Sequence, residues 1–353
     1  MIEQFNEVAQ RCDLTIPASH RLPIAHVGAG KIVAGAHLPA YRQAGLEIVG
    51  VYDKEVERAR TFAREQGLPK AYASLEELCR DDAVAVVDIA VPPWEQPAIV
   101  TALLDAGKHV LCQKPLALDS ATATSMAEHA EKRRRKLAVN QQMRWDEGIA
   151  AARAMLQLGW IGEPLWLEML VDIFIDWTPW MSPQKHVQLW YHAIHELDSI
   201  RSILGDPQKV WCTGASRPGQ KPTGETRVVI GMIYPGELRA MVHVNSENLF
   251  EPNATFRIGG TEGVIRARLE RFYGEGAPDT IAVQSRLLPT DGWLPYPCTM
   301  RWFIDAFIGP MRSLLWAIAT GGEAFTSGRD NVKTIRLIEA LYRSIETGNG
   351  EIP

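Results

Sequence analysis

The sequence predicts a two-domain protein: an α/β Rossmann domain built on a doubly wound parallel sheet, followed by an α+β domain with a large, mostly antiparallel open sheet. Three observations predict this. From Pro23 to about Asn140, short β-rich runs alternate with longer helical ones. A Gly-x-Gly turn follows the first of those runs. After Gln142 the texture changes to longer strands joined by tight turns. At 353 residues the chain is long for one ordinary domain and comfortable for two. We divide it into an N-terminal extension (1–22), the Rossmann domain (23–143) and a C-terminal α/β domain (144–353). The final helices of the last part are candidates to pack back on the first domain.

In the first domain the strand-like runs are 24–27, 46–52, 84–90, 109–112 and 137–140, with amphipathic stretches such as 54–66 and 95–106 between them. The strands are apolar without polar alternation, as expected of a parallel sheet covered on both faces. In the second, a helix over about 146–158 leads into strands at 165–174, 210–216, 227–234, 238–245 and 255–268. Pro235-Gly236 joins two of them, and Gly259-Gly260-Thr261-Glu262-Gly263 turns within the last. Two late helices, 300–320 and 331–345, close the chain, with Gly348 as a C-cap. The run Val228-Val229-Ile230-Gly231-Met232-Ile233 is apolar on both faces. We therefore expect helices on one side of this sheet and a second subunit on the other, giving a homo-oligomer, a dimer or tetramer.

Composition excludes several functions. A net charge of -5 argues against a polyanion-binding surface, so no nucleic acid partner is expected. The basic run Lys132-Arg133-Arg134-Arg135-Lys136 ends a helical pattern, where cations suit the helix dipole. Five widely spaced cysteines without a CxxC pair suggest neither disulfides nor zinc. No stretch approaches the ~18 apolar residues of a membrane span, and the acidic N-terminus lacks a leader-like apolar core. The expectation is a soluble, cytoplasmic protein with no membrane partner.

In a dinucleotide site the first glycine makes the tight turn after strand one, and the second lets the backbone approach the pyrophosphate at a helix N-terminus. Gly28 and Gly30 fit both tasks, with Lys31 and Ile32 opening the helix. The third glycine of the motif is missing: Val33 stands there, and Gly35 comes two residues late. Asp53 ends the second strand, where an acidic group takes the adenosine ribose hydroxyls and repels a 2'-phosphate, so NAD is expected rather than NADP. Its other reading is a helix cap for the segment starting at Lys54.

Ligands in such sheets gather beyond the carboxyl ends of the strands. Two strand ends stand out there: Val91-Pro92-Pro93-Trp94, with Gln96 just beyond, and Cys112-Gln113-Lys114-Pro115. The proline after Lys114 stiffens the turn that carries the ammonium.

At this point His109-Val110-Leu111-Cys112-Gln113-Lys114-Pro115 resembles the Glu-Lys-Pro segment of the Gfo/Idh/MocA family, the glucose-fructose oxidoreductases, inositol dehydrogenases and their relatives. Gly28-Ala29-Gly30-Lys31-Ile32 with His37-Leu38-Pro39-Ala40, Ala106 to Val110, Gly159-Trp160-Ile161-Gly162, Gly259 to Gly263 and Asp305 to Pro310 resemble further segments in the same order. The resemblance covers nearly the full length beyond the first twenty residues or so. It implies a nicotinamide cofactor, a sugar or polyol substrate, a lysine at Lys114 that touches both, and a C-terminal sheet that often mediates oligomerisation. The family's second signature is Asp-x-x-x-His; here His195 is kept and Tyr191 stands for the aspartate. Gln113 replaces the glutamate before the lysine, and Gln96 a histidine often found after the proline turn. Gln142 and Arg144 resemble a segment expected to contact cofactor or substrate.

Periodicity supports a helix around His195 independently. Val187, Trp190, Ile194, Leu197, Ile200 and Leu204 form an apolar face, while Tyr191, His195, Asp198 and Ser202 line another. His195 is the candidate general base, because imidazole titrates near neutrality, and Lys114 the group that favours the developing alkoxide. Tyr191 or His192 is a candidate proton relay. No third ligand is placed beside His192 and His195, so no metal is expected. Trp177 and Trp180 are candidates to stack on a pyranose ring. The leading expectation is an NAD-dependent dehydrogenase acting on a secondary hydroxyl of a sugar, polyol or glycoside. The alternatives are an NAD-dependent glycoside hydrolase using transient oxidation and a non-catalytic NAD(H)-sensing binding protein.

Overall fold

The structure, a computed structural model, describes residues 5–270, 276–289 and 292–353. The chain divides into two compact units that do not follow the linear order of the sequence. One joins the stretch ending at Asp13 to Met143–Trp302 and Arg336–Pro353; the other joins Leu14–Gln142 to Phe303–Ile335.

The first helix, α1 (Phe5–Cys12), belongs to the former unit. It lies in the extension that carries no sequence motif, yet it buries Phe5, Val8 and Cys12 along one face. Phe5 meets the Tyr296 ring edge-on at 5.2 Å between centroids.

The nucleotide-type unit contains β1 (Ile24–Val27), α2 (Leu38–Gln43), β2 (Ile48–Tyr52), α3 (Val56–Gln66), β3 (Ala71–Tyr72), α4 (Leu75–Arg80), β4 (Val86–Ile89), α5 (Gln96–Asp105), β5 (His109–Gln113), α6 (Ser120–Lys132) and β6 (Leu137–Asn140). Its six strands run parallel in the order β3-β2-β1-β4-β5-β6. Strand order therefore reverses between β1 and β4, which opens a crevice at the carboxyl ends of the strands. Neighbouring strands extend past β1 and β4 through Gly28 N–H donating to Tyr52 O at 2.8 Å and Ala90 N–H to Val27 O at 2.8 Å.

Between β1 and α2 the helix is wound with wider π-type spacing over Val33–His37, and Leu38 N–H reaches back to Val33 O. This explains the displaced glycine. Val33 is fully buried with Ala29, Leu38, Val51, Ala59 and Phe62, whereas a Cβ on Gly35 would meet nothing within 4 Å. The motif's third position is filled by packing here, and the late glycine has no close approach to serve.

The other unit continues with α7 (Glu147–Gln157), β7 (Pro164–Asp172), α8 (Ile194–Leu204), β8 (Lys209–Ala215), β9 (Arg227–Ile233), β10 (Arg239–Asn245), β11 (Asn253–Gly260), β12 (Gly263–Arg268), β13 (Thr280–Ser285) and β14 (Leu294–Tyr296). Its eight-stranded sheet has the order β14-β13-β12-β11-β7-β10-β9-β8. All neighbours are antiparallel except β7 and β10, so the sheet is mixed. Leu167, Met169, Val228, Ile230, Val242 and Val244 are buried on one face, while Trp211, Ile233 and Met241 are exposed on the other.

Of the late helices, α9 (Ile308–Thr320) begins later than its sequence pattern suggests, and α10 (Gly328–Thr347) ends at Gly348 with φ 71° and its N–H on Ser344 O. Thr299 and Met300, where the pattern starts it, instead donate both N–H groups to the buried Glu147 carboxylate at 2.6 Å.

Restoring the motif glycine should harm the fold. Val33→Gly removes a buried valine side chain, worth about 1.5–3 kcal/mol, and places glycine in a helix, costing about 1 more. The urea midpoint is expected to fall by an amount equivalent to roughly 3 kcal/mol with an unchanged slope; an unchanged midpoint would show that the site collapses without cost.

Candidate active site

The glycine turn is shaped by sterics. Gly28 has φ 103°, and a Cβ there would lie 2.4 Å from Ala90 O, so both conformation and space require glycine. Gly30 is the opposite case: a Cβ would meet nothing within 4 Å. The room before it is open, at the start of a helix whose first N–H groups lack intrahelical partners, which is the cradle a pyrophosphate fits. Lys31 is exposed and Ile32 half-buried against the Val33 core.

Asp53, buried at the end of β2, ties this turn down. Its Oδ2 accepts from Ala29 N–H at 3.0 Å and its Oδ1 from Glu55 N–H at 2.9 Å. The second bond closes a turn ahead of α3, whose cap position is Glu55, so Asp53 is not the helix cap that the sequence also allows; the first bond reaches the glycine turn itself. Each carboxylate oxygen has two acceptor positions, so capacity for ribose hydroxyls is kept. Lys54 pairs with Glu95 across the surface at 2.7 Å. The residues present therefore fit NAD.

Lys114 follows β5 at the same end of the sheet as Gly28 and Asp53. Its turn, with a cis Lys114–Pro115 bond, is held from two sides. The Lys114 N–H donates to Gln113 Oε1 at 2.8 Å, and Gln96 Nε2 donates to Pro115 O at 2.7 Å and Leu116 O at 3.3 Å. Gln96, expected at the cofactor, is buried beneath this turn and braces it. Val91 and Pro92 are half-buried, Trp94 is exposed, and Gln142 is buried just after β6.

Sequence reasoning missed a buried polar group beneath this surface. His37 Nδ1 lies 2.6 Å from Asp88 Oδ2 on β4, Tyr41 donates its hydroxyl to the same oxygen at 2.8 Å, and His26 Nδ1 approaches it at 3.3 Å. Burial alone would push the Asp88 carboxyl up; the His37 and His26 rings overturn this and hold it well below the usual range. Among the described residues, His26, His37 and Asp88 are the three ligand-type side chains close enough to share a metal ion. A signal was available: His26, Asp88 and Asn140 interrupt otherwise apolar strands.

In the other unit, the helix expected over 187–204 is in two parts. Gln188–His192 has π-type spacing and α8 follows, so Tyr191 and His195 are not successive steps of one α-helical stripe. His195 is buried on α8, with the Trp302 ring edge-on at 6.2 Å. His192 Nδ1 lies 2.8 Å from Ser246 Oγ and 3.3 Å from Gln188 Nε2. Burial pushes the Tyr191 phenol up to about 12, and Trp180 meets its ring edge-on at 5.3 Å. Arg144 is committed to a buried two-point pair with Asp198, at 2.6 and 2.8 Å. Trp177 is only 2% exposed, so its area goes to packing, whereas Trp180 is half-buried.

Comparison with known proteins gives a consistent result. Residues 22–141 match the family model described as the oxidoreductase family, NAD-binding Rossmann fold, and residues 149–266 match the GFO/IDH/MocA C-terminal domain. The D-apiose dehydrogenase of Paraburkholderia graminis is 28% identical over 356 residues, 97% of this chain and 92% of that protein. The trans-1,2-dihydrobenzene-1,2-diol dehydrogenase of Oryctolagus cuniculus is 35% identical over 230 residues, 62% of this chain and 67% of that one. An oxidoreductase from Agrobacterium radiobacter, solved in complex with NAD+, L-tartaric acid and magnesium, superposes with a TM-score of 0.82 at 25% identity, covering 94% of this chain and 98% of the other.

The two glycines should separate stability from binding. Gly28→Ala is expected to destabilise by about 2–3 kcal/mol through strain and overlap. Gly30→Val should keep the urea midpoint within about 1 kcal/mol while weakening NAD binding at least roughly tenfold by calorimetry, a loss of about 1.4 kcal/mol. Equal effects of the two on stability would remove the cradle assignment.

Proposed function

The chain belongs to the Gfo/Idh/MocA family of NAD-binding oxidoreductases, and from that premise we propose that it transfers a hydride between NAD and a secondary hydroxyl of a sugar, polyol or glycoside. The observation that carries the reading is Lys114, braced by Gln113 and Gln96 at the sheet end that also presents Gly28, Gly30 and Asp53. Two relatives named as dehydrogenases, one for D-apiose and one for a dihydrobenzene diol, support a CH–OH substrate. The acidic Asp53 supports NAD over NADP.

Gly28 and Gly30 would hold the pyrophosphate and Asp53 the adenosine ribose; NAD, when bound, supplies the hydride acceptor. His195 takes the hydroxyl proton as general base. Lys114 donates to the same oxygen and favours its negative charge. Tyr191, a neutral phenol well into alkaline pH, can pass or accept a hydrogen bond without adding charge. His192, oriented by Ser246 and Gln188, is the other candidate for moving the proton onward. Trp180 is the candidate for stacking on a sugar ring.

The test is reduced-nicotinamide absorbance on mixing the protein and NAD with a panel of pyranoses, inositols and glycosides. Lys114→Ala and His195→Asn are each expected to lower kcat by about 10²–10⁴-fold. Glycoside cleavage without net reduction would replace the dehydrogenase by a hydrolase using transient oxidation. NAD binding with neither reaction would leave a sensor.

The reading extends to a second copy of this chain on the open face of the eight-stranded sheet, where Trp211, Ile233 and Met241 are exposed. Burying such a face is what a stable homodimer or tetramer needs. Light scattering at micromolar concentration is expected to give a multiple of the 39.3 kDa chain mass, and Met241→Lys to reduce it; a monomer would end the proposal.

A further inference from the structure

We propose that His37 is a positioning residue for Lys114, acting through Gln113. The proposal rests on the reading of Lys114 as the group beside the reacting oxygen, but its geometry is independent of any substrate. Chemistry fixes the direction of every bond in the chain. The Lys114 backbone N–H can only donate, so the Gln113 atom 2.8 Å away is the amide oxygen. The other end of that amide is then the NH2 group, a donor, and it lies 3.1 Å from His37 Nε2. That nitrogen must present its lone pair, which leaves the ring proton on Nδ1, 2.6 Å from Asp88 Oδ2. Asn140 Nδ2 faces the same Nε2 at 3.2 Å, a second donor toward that lone pair.

The groups facing His37 are Asp88 from β4, Tyr41 from α2, His26 from β1, Gln113 from β5 and Asn140 from β6, with the Phe307 ring at 5.3 Å. His37, Asp88 and Asn140 are wholly buried, so water does not stand in for a lost partner. A proton on Nε2 would confront an NH2 group and turn the Gln113 amide over. The Lys114 N–H would then lose its acceptor, and the turn would keep only the brace from Gln96 on its far side. One imidazole tautomer therefore holds the backbone from which the ammonium is presented.

The test uses the full chain with ring-15N histidine and amide-15N lysine. At neutral pH His37 is expected to show one protonated and one unprotonated ring nitrogen. Its signal is assigned by its loss in H37F combined with D88N, which avoids stranding a buried carboxylate. Should that double variant fail to fold, the ring shifted by Gln113→Leu identifies it. Q113L cuts the chain at its other end and is expected to speed Lys114 amide exchange. It should also lower kcat on the order of 10- to 100-fold, with KM for NAD within about twofold. Gln113→Glu supplies acceptors at both ends, so it is expected to restore the slow Lys114 amide and to protonate both ring nitrogens. A wild-type ring carrying its proton on Nε2, or a Q113L protein with unchanged kcat and unchanged Lys114 amide exchange, overturns the proposal. If no panel sugar turns over, the proposed reaction has failed, and the ring and amide signals still decide the role of His37.

Discussion

A carboxylate set in the middle of a parallel sheet and shut off from water stays charged only if donors reach it, and an unpaired one would cost several kcal/mol. Asp88 on β4 is such a group, and its donors come from the helix that follows β1. His37 and Tyr41 must therefore face the sheet from one side of that helix, four residues apart. The π-type turn over Val33–His37 sits immediately before α2, where it sets their angle to the sheet. Because the same segment begins at Gly28 and Gly30, the glycine turn is anchored to β4 through Asp88 as well as to β2 through Asp53. The nucleotide cradle and the Lys114 turn thus share one buried anchor.

The other unit solves a related problem around His195. Arg144 and Asp198 form a buried two-point pair, and Arg201 approaches the same carboxylate at 3.7 Å. The pair fixes α8 one turn beyond His195, so the imidazole is carried on a helix that cannot rotate without breaking a desolvated ion pair. The entry to that helix is fixed separately. Glu225 Oε1 accepts from Val187 and Gln188 N–H groups, and His192 reaches Ser246 at the end of β10. The π-type turn between these anchors absorbs the residue by which their spacing departs from an α-helix.

What the sequence discloses follows from how each signal arises. Apolar strands without alternation, a glycine turn after the first of them and an acidic end to the second are consequences of a covered parallel sheet, and all can be read residue by residue. The switch at Gln142 is legible for the same reason. The π-type turns are not, because a period of 3.6 residues cannot announce one extra residue, and the even stripe through Tyr191 and His195 is broken for that reason. The late start of α9 has no such signal, and neither does the capture of the Thr299 and Met300 N–H groups by Glu147, which is distant in sequence. The buried group around Asp88 lies between these cases. A histidine in Ile-Ala-His-Val and an aspartate in Val-Val-Asp-Ile cannot sit unpaired in a sheet covered on both faces, so the need for partners is written in the strands even though their identity is not.

Two of the departures from the family pattern have one electrostatic direction. Gln113 puts a neutral amide next to Lys114, and Tyr191 puts a neutral phenol four residues before His195. Two unit charges 4 Å apart interact by about 1 kcal/mol in water and about 4 at the effective dielectric of a protein surface. A carboxylate at position 113 would bring a charge of that kind into the buried group around His37, and an amide brings none. At the Tyr191 position a carboxylate would likewise add a charge to the π-type turn before α8, and the phenol adds none. The burial that pushes Tyr191 up to about 12 also shows why a phenol suits that place: an anion there would have to be desolvated. On the proposed role of Lys114, Gln113 serves it through the backbone N–H rather than through charge, so the bonds that hold that backbone matter correspondingly more.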